Sequence, residues 1–203
     1  LFRSLAFITA PNFEAPTDAG TNNGYEVVVT ASDGSLTDSQ TITVTVTNAN
    51  EAPVIFSNGG GAVGAYTIVE NTPGANPIGA VDPDAGATLT YSIIGGADAA
   101  RFTMNNGVLS LINPPDFEAP TDQNGDNVYE VIVQVSDGTL TDTQTINLTV
   151  TNANEAPVIT SNGGGATGGY TIFENTLGPN TVSASDPDAG SNLTYSIIGG
   201  ADA

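Results

Sequence analysis

The chain repeats itself at a fixed offset of 104 residues. NFEAPTD at 12–18 returns as DFEAPTD at 116–122, and YTIVENT at 66–72 returns as YTIFENT at 170–176. VDPDAG at 81–86 returns as SDPDAG at 185–190, while LTYSIIGGADA fills both 89–99 and 193–203. The heptapeptide TNANEAP stands at 47–53 and again at 151–157. A period near 100 residues is the length of one β-sandwich domain and is too long for a solenoid repeat. Taking the heptapeptide as the boundary divides the chain into three parts. They are the back half of one repeat at 1–52, a whole repeat at 53–156 and the front half of a third at 157–203.

Inside the whole repeat the strand signal has period two. Tyr129, Val131, Val133 and Val135 alternate with Glu130, Ile132 and Gln134, and then the turn Ser136-Asp137-Gly138 follows. Ile146, Leu148 and Val150 alternate with Thr145, Asn147, Thr149 and Thr151, and Leu89–Ile93 is a further strand candidate. Alternation with β-branched residues is the mark of half-buried antiparallel strands. The intervening SNGGGA and NPPD segments are turn chemistry, and no stretch carries a capped helical pattern. The expectation is an all-β chain of tandem Greek-key β-sandwich repeats, immunoglobulin-like in layout, with about seven short strands per repeat.

Charge narrows the function. The net charge is −20, and Arg3 and Arg101 are the only basic residues. Nucleic acid and anionic membrane surfaces are therefore excluded as partners held by the chain's own charge. No apolar run is long enough to span a bilayer. With no Cys and no His, disulfides, thiol chemistry and the commonest transition-metal ligand are all absent. Any bound metal must be a hard, oxygen-seeking cation.

The acidic residues gather at strand ends: Glu70 in ENT, Asp82 and Asp84 in DPD, Asp116 and Glu118 in DFE, Asp137 in SDG and Glu155 in NEAP. Each position alone reads as an ordinary turn residue. As a set they do not, because turns need small polar residues rather than clustered negative charge without one Lys. Calcium takes about six to eight oxygens from carboxylates, Asn side chains and backbone carbonyls, which this chain supplies in abundance.

These motifs resemble the cadherin-like repeats of very large bacterial surface proteins, across essentially all 203 residues. The resemblance implies calcium held between consecutive repeats. The junction near residue 155 would then draw on Glu70, Asp116, Glu118, Asn154, Glu155, Asp186, Asp188 and Asn192. The junction near residue 51 would draw on Glu14, Asn50, Glu51, Asp82, Asp84 and Asp137. Glu174 and Asp33 would serve further junctions. Asn48 and Asn152 stand where the family's linker has Asp, Asn12 replaces the Asp of D-x-E, and Thr88 stands where the third repeat has Asn192. Calcium is therefore expected to be weaker near 51 than near 155. A separate loop, DQNGDN at 122–127, spaces Asp122, Asn124 and Asp126 by two, although a plain turn is the simpler reading.

The implied role is a calcium-stiffened spacer or adhesive segment of an extracellular, bacterial cell-surface protein. Its partners would be neighbouring repeats, with cell-surface glycans or proteins as adhesion targets. An enzyme is not expected, because each acidic pair belongs to a repeated motif and no distinct pocket chemistry accompanies it. A carbohydrate-binding module is a rival, but Tyr66, Tyr91, Tyr170 and Tyr195 lie in repeated strand patterns and read as core. A further rival follows from phase: Leu1 aligns with residue 105 and Ala203 with residue 99. Either the half-repeats belong to a longer continuous chain, which is the preferred reading, or they complete each other head to tail between molecules, as subunits of a fibre.

Overall fold

The computed structural model describes residues 4–202, so Leu1 and Ala203, and with them the alignment of the chain's ends, lie outside the described residues. The described residues form thirteen strands and three short 3-10 turns. In chain order the strands are β1 (Gly24–Ser32), β2 (Thr37–Thr45), β3 (Val54–Ile55), β4 (Val63–Val69) and β5 (Asn76–Pro77). They continue with β6 (Ala80–Val81), β7 (Thr90–Gly95), β8 (Phe102–Asn105), β9 (Val108–Leu111), β10 (Val128–Ser136), β11 (Thr141–Thr151), β12 (Val158–Ile159) and β13 (Ala184–Ser185).

Residues 53–156 hold nine strands rather than the seven expected. The surplus comes from two-residue pairings, β3 with β6 and β5 against β9, which alternation over four or more residues cannot reveal. A four-stranded sheet in the order β4-β11-β10-β7 faces a three-stranded sheet in the order β5-β9-β8. β4 runs parallel to β11, whereas β10 is antiparallel to both its neighbours. The strand that opens the large sheet thus lies beside the one that closes it, and the crossover places the two ends of this unit at opposite poles.

The core is the inward face of that alternation. Tyr129, Val131, Val133 and Val135 from β10 and Ile146, Leu148 and Val150 from β11 are buried with Ile55, Ile78, Phe102, Leu109 and Leu111. Phe102 meets Tyr129 edge to face at 6.5 Å. Fully burying one such aliphatic side chain stabilises by about 1.5–3 kcal/mol. Gln144 breaks the apolar pattern of β11 yet is fully buried. Its Nε2 donates to the carbonyls of Ser57 and Gly61, which pins the SNGGGA loop to the sheet.

The same sequence is less organised on either side. β1 and β2 pair only with each other, and Val27, Val28 and Val29 are exposed. Residues 167–173, the counterpart of β4, and 194–199, the counterpart of β7, form no strand. In the whole repeat the corresponding strands pair with β11 and β10. Period-two patterning is therefore not by itself sufficient for a strand, which also needs a ladder partner.

Candidate metal centre

At the junction near residue 155 three segments converge. Glu70 directly follows β4, the loop before β10 carries Asp116 and Glu118, and the chain leaving β11 carries Glu155. Oxygens of Glu70, Asp116 and Glu118 lie within 4.8 Å of one another, and so do those of Glu118, Glu155 and Asp188. Glu118 belongs to both groups, so five carboxylates from residues 70 to 188 form one continuous patch.

The backbone explains how they are held. Glu70 is buried and accepts the N–H of Phe117 on Oε2 and that of Ala153 on Oε1, both at 2.7 Å. It thereby ties the DFE loop to the end of β11. Asp116 accepts the N–H of Ala119 at 2.9 Å, closing a local turn. Across the junction the Glu155 N–H donates to Asp188 Oδ2 at 2.8 Å, and Asp188 itself is fixed by its N–H donating to Asp186 Oδ1 at 3.0 Å.

The junction near 51 repeats the plan with fewer charges. Oxygens of Glu14, Glu51 and Asp84 lie within 4.8 Å of one another. The Glu51 N–H donates to Asp84 Oδ2 at 3.0 Å, and the Asp84 N–H donates to Asp82 Oδ1 at 2.9 Å. Asp137 stands apart from that triad. Its Oδ1 caps the β10–β11 turn through the N–H groups of Thr139 and Leu140, and its Oδ2 accepts Asn50 Nδ2 at 2.6 Å.

Electrostatics mark the clusters as strained. Partial desolvation, followed by repulsion from Glu14, Asp84 and Asp82, raises the Glu51 carboxyl above the ordinary range. Glu118 is raised first by desolvation and then by Glu70, Asp188 and Asp116. Glu155 is raised by desolvation and by Glu70, Glu118 and Asp188, against a lowering from its bond to Asn71. Asp137 moves the other way, lowered first by the Asn50 bond and then by the Leu140 and Thr139 amides. Two carboxylate oxygens, Asp82 Oδ2 and Glu155 Oε2, are buried without any hydrogen-bond partner. An acceptor with no donor in reach, beside other carboxylates, fits a hard cation and not another side chain.

Not every expected residue joins the clusters. Asn154 Nδ2 donates to the Glu155 carbonyl, and Asp186 takes part through its bond to Asp188. Asn192 makes no side-chain hydrogen bond to these carboxylates among the described residues. The DQNGDN loop is a turn: Asp122 is buried and accepts the N–H groups of Asp126 and Asn127, while Asp126 accepts Val128 N–H and Asn124 Nδ2. Sequence reasoning missed three amides at the clusters. Asn152 Nδ2 donates to Glu118 Oε1 at 2.5 Å, Asn48 Nδ2 to Asp84 Oδ1 at 2.6 Å, and Asn71 Nδ2 to Glu155 Oε1 at 2.8 Å. The repetition of ENT at 70–72 and 174–176 was the available signal for Asn71.

No protein-family model matches the chain. Among known proteins it is 31% identical over 180 residues to cadherin EGF LAG seven-pass G-type receptor 2 of Homo sapiens, covering 79% of this chain and 6% of that protein. It is 31% identical over 201 residues to human protocadherin Fat 1, covering 92% of this chain and 4% of the relative. Cadherin-24 of Mus musculus is 29% identical over 206 residues, covering 89% of this chain and 25% of its own length. The chain thus spans a quarter or less of each of these relatives. Among solved structures, the protocadherin gammaB7 EC3-6 cis-dimer superposes with a TM-score of 0.51 at 24% identity, over 85% of this chain and 46% of that one. The extracellular cadherin domains 1-4 of protocadherin gamma B7 give a TM-score of 0.51 at 22% identity, over 86% of this chain and 43% of theirs.

Proposed function

Since the chain is built of cadherin-like β-sandwich repeats, we propose that it is an extracellular adhesive spacer whose repeats are locked together by calcium. The observation that carries this reading is the position of Glu118. Its carboxylate lies within 4.8 Å of those of Glu70 and Asp116 on one side and of Glu155 and Asp188 on the other. Five carboxylates in one patch repel one another, and the chain's two basic residues cannot neutralise them.

Glu70, Asp116, Glu118, Glu155 and Asp188 would hold calcium at the junction near 155, with Asp186 and Asn154 supporting them. Glu14, Glu51, Asp82 and Asp84 would do so near 51. Bound there, calcium supplies neutralising charge that fixes one repeat against the next, since binding to the ordered arrangement favours it by mass action. The chain's own contribution is geometric. Glu70 aligns the loop and the strand end, while the Glu155 and Glu51 amides bring Asp188 and Asp84 across the junction. A string of such repeats becomes a stiff rod able to hold an adhesive surface away from a cell. The kinship with cadherins and protocadherins supports the adhesive role.

Calorimetric titration of the intact chain with calcium tests the assignment. Two classes of site are expected, the tighter near 155 because it gathers five carboxylates against three in the cluster near 51. Affinity should lie toward the weak extracellular range, about 10⁻⁴ M. Glu118→Gln should abolish or weaken the tighter class by about tenfold or more and leave the weaker class intact. Absence of calcium heat in the unaltered chain would remove the reading.

A further inference from the structure

An asparagine followed by glycine is chemically exposed, because glycine puts no side chain between its own backbone nitrogen and the asparagine amide carbon. The chain has five such pairs: Asn23-Gly24, Asn58-Gly59, Asn106-Gly107, Asn124-Gly125 and Asn162-Gly163. Ring closure between that nitrogen and that carbon needs a free backbone N–H, room for the side chain to swing, and rotation about the asparagine Cα–C bond. The fold grants these unequally.

Four of the five asparagines are held in left-handed backbone, with φ +64° at Asn23, +53° at Asn58, +47° at Asn106 and +53° at Asn162. Asn58 and Asn162 share ψ +33°, which turns the next nitrogen away from the side chain. Asn58 is also half-buried in the loop that Gln144 pins. Asn23 is buried, its Nδ2 donates to the Phe13 carbonyl at 2.9 Å, and the Gly24 N–H is taken by Asn22 Oδ1 at 3.0 Å. Asn106 lies in the β8–β9 turn, and Gly107 is buried beside the Tyr91 ring. Asn124 differs on every count. Its φ is not left-handed, it is exposed together with Gly125, and nothing lies within 4 Å of where a Gly125 side chain would stand. The Gly125 N–H donates no hydrogen bond among the described residues. The one tie on the Asn124 side chain is Nδ2 to Asp126 Oδ2 at 2.8 Å, an exposed bond that water replaces at little cost.

We propose that Asn124-Gly125 is a self-modification site, at which the folded chain deamidates ahead of its other Asn-Gly pairs. The Gly125 nitrogen gives its proton to solvent base and attacks Asn124 Cγ, forming the new C–N bond of a succinimide. The Cγ–Nδ2 bond breaks and that nitrogen leaves as ammonia. Water then opens the ring. Attack at Cγ yields aspartate, and attack at the backbone carbonyl carbon yields isoaspartate. One water is consumed and one ammonia released, with no oxidant or reductant. Either product sets a carboxylate at 124 beside Asp126, in a cleft that Asp98 and Glu130 also line. The amide donor to Asp126 is lost, and like charges meet in its place. Isoaspartate also lengthens the main chain between Asp122 and the two amides it accepts, those of Asp126 and Asn127, so the turn leading into β10 loosens. Asp122 and Asp126 belong to none of the carboxylate clusters found among the described residues, so the junctions are left as they are. The reaction runs one way and makes this loop a record of the chain's age.

The test is incubation of the intact chain in mildly alkaline buffer made with heavy-oxygen water, natively and in guanidinium, followed by peptide mapping by mass spectrometry. Natively, residue 124 should take up heavy oxygen as a mixture of aspartate and isoaspartate. It should do so about tenfold or more faster than the other four asparagines, each of which must first leave a locked turn. In guanidinium all five should react at similar rates, because the ranking belongs to the fold. Asn124→Gln keeps the amide but closes its larger ring far more slowly. That variant should take up no label at 124 and should retain the unfolding midpoint that the aged parent chain loses. Faster reaction at Asn162 or at any other pair overturns the proposal. A ranking that survives guanidinium, or conversion of residue 124 only after unfolding, overturns it equally.

Discussion

At the scale of single residues, two kinds of acidic side chain occur in the same turns and answer differently to perturbation. Asp122 uses its carboxylate to close a loop through the Asp126 and Asn127 amides. Asp122→Ala should cost about 1–3 kcal/mol whether or not calcium is present, because two donors lose their acceptor. Glu118 accepts one side-chain amide, that of Asn152, and otherwise faces carboxylates, so its replacement should matter chiefly in calcium. Guanidinium unfolding of both variants with calcium and with chelator separates the two roles. Acidity adds a second test. Glu51, Glu118 and Glu155 have carboxyls raised above their ordinary value of 4.5. In the metal-free fold they bind more protons than the unfolded chain in the window just above 4.5, so stability there increases as pH falls. The lowered carboxyls of Asp18, Asp33 and Asp137 work in the opposite sense, and their contribution is lost only as pH drops below 3.8. Unfolding in chelator from pH 7 downward should therefore show stability rising before it falls. A monotonic loss would mean the carboxylates do not feel one another.

Among the elements, the long hairpin β10–β11 was legible because apolar residues recur at every second position from Tyr129 to Val135 and from Ile146 to Val150. Tyr129, Val131, Val133, Val135, Ile146, Leu148 and Val150 all point inward as the pattern requires. The two-residue strands were not legible, nor was the burial of Gln144, which depends on carbonyls more than eighty residues away. The same limit governs the site. Repeated motifs identified Glu70, Asp116, Glu118, Glu155 and Asp188, but a motif carries no distances. It could not show that Asp137 is occupied by its own turn and by Asn50, or that Asn48, Asn71 and Asn152 reach the carboxylates as donors. Asn48 and Asn152 meet Asp84 and Glu118 as hydrogen-bond donors. One backbone contact sets the alignment of the large sheet. Gly96 has φ +107, and a Cβ there would come within 2.5 Å of Val131 Cα, beside the register shift at Ile132 and Val133. Gly96→Ala should cost about 2 kcal/mol or more and lower the denaturation midpoint with calcium binding per folded molecule unchanged. A neutral result would show that the bulge relaxes freely.

For the molecule as a whole, charge and fold are in tension. A net charge of −20 opposes compaction, and much of it sits where consecutive repeats meet. Monovalent salt screens distant charges over about 10 Å at 0.1 M but acts little on oxygens in mutual contact. On the proposed reading, a divalent cation at the junctions would relieve that repulsion directly and make the relative position of repeats part of the stable structure. The central claim is therefore a thermodynamic one, and the most direct measurement is thermal unfolding of the intact chain in 10 mM calcium and in chelator at matched ionic strength. With sites near 10⁻⁴ M, mass action adds about 2.7 kcal/mol, which raises the midpoint by roughly 10 °C or more. The increase should shrink to the smaller share supplied by the cluster near 51 when Glu118→Gln and Asp188→Asn are combined. Superimposable curves with and without calcium would contradict the account and leave the acidic patches as solvated strand ends.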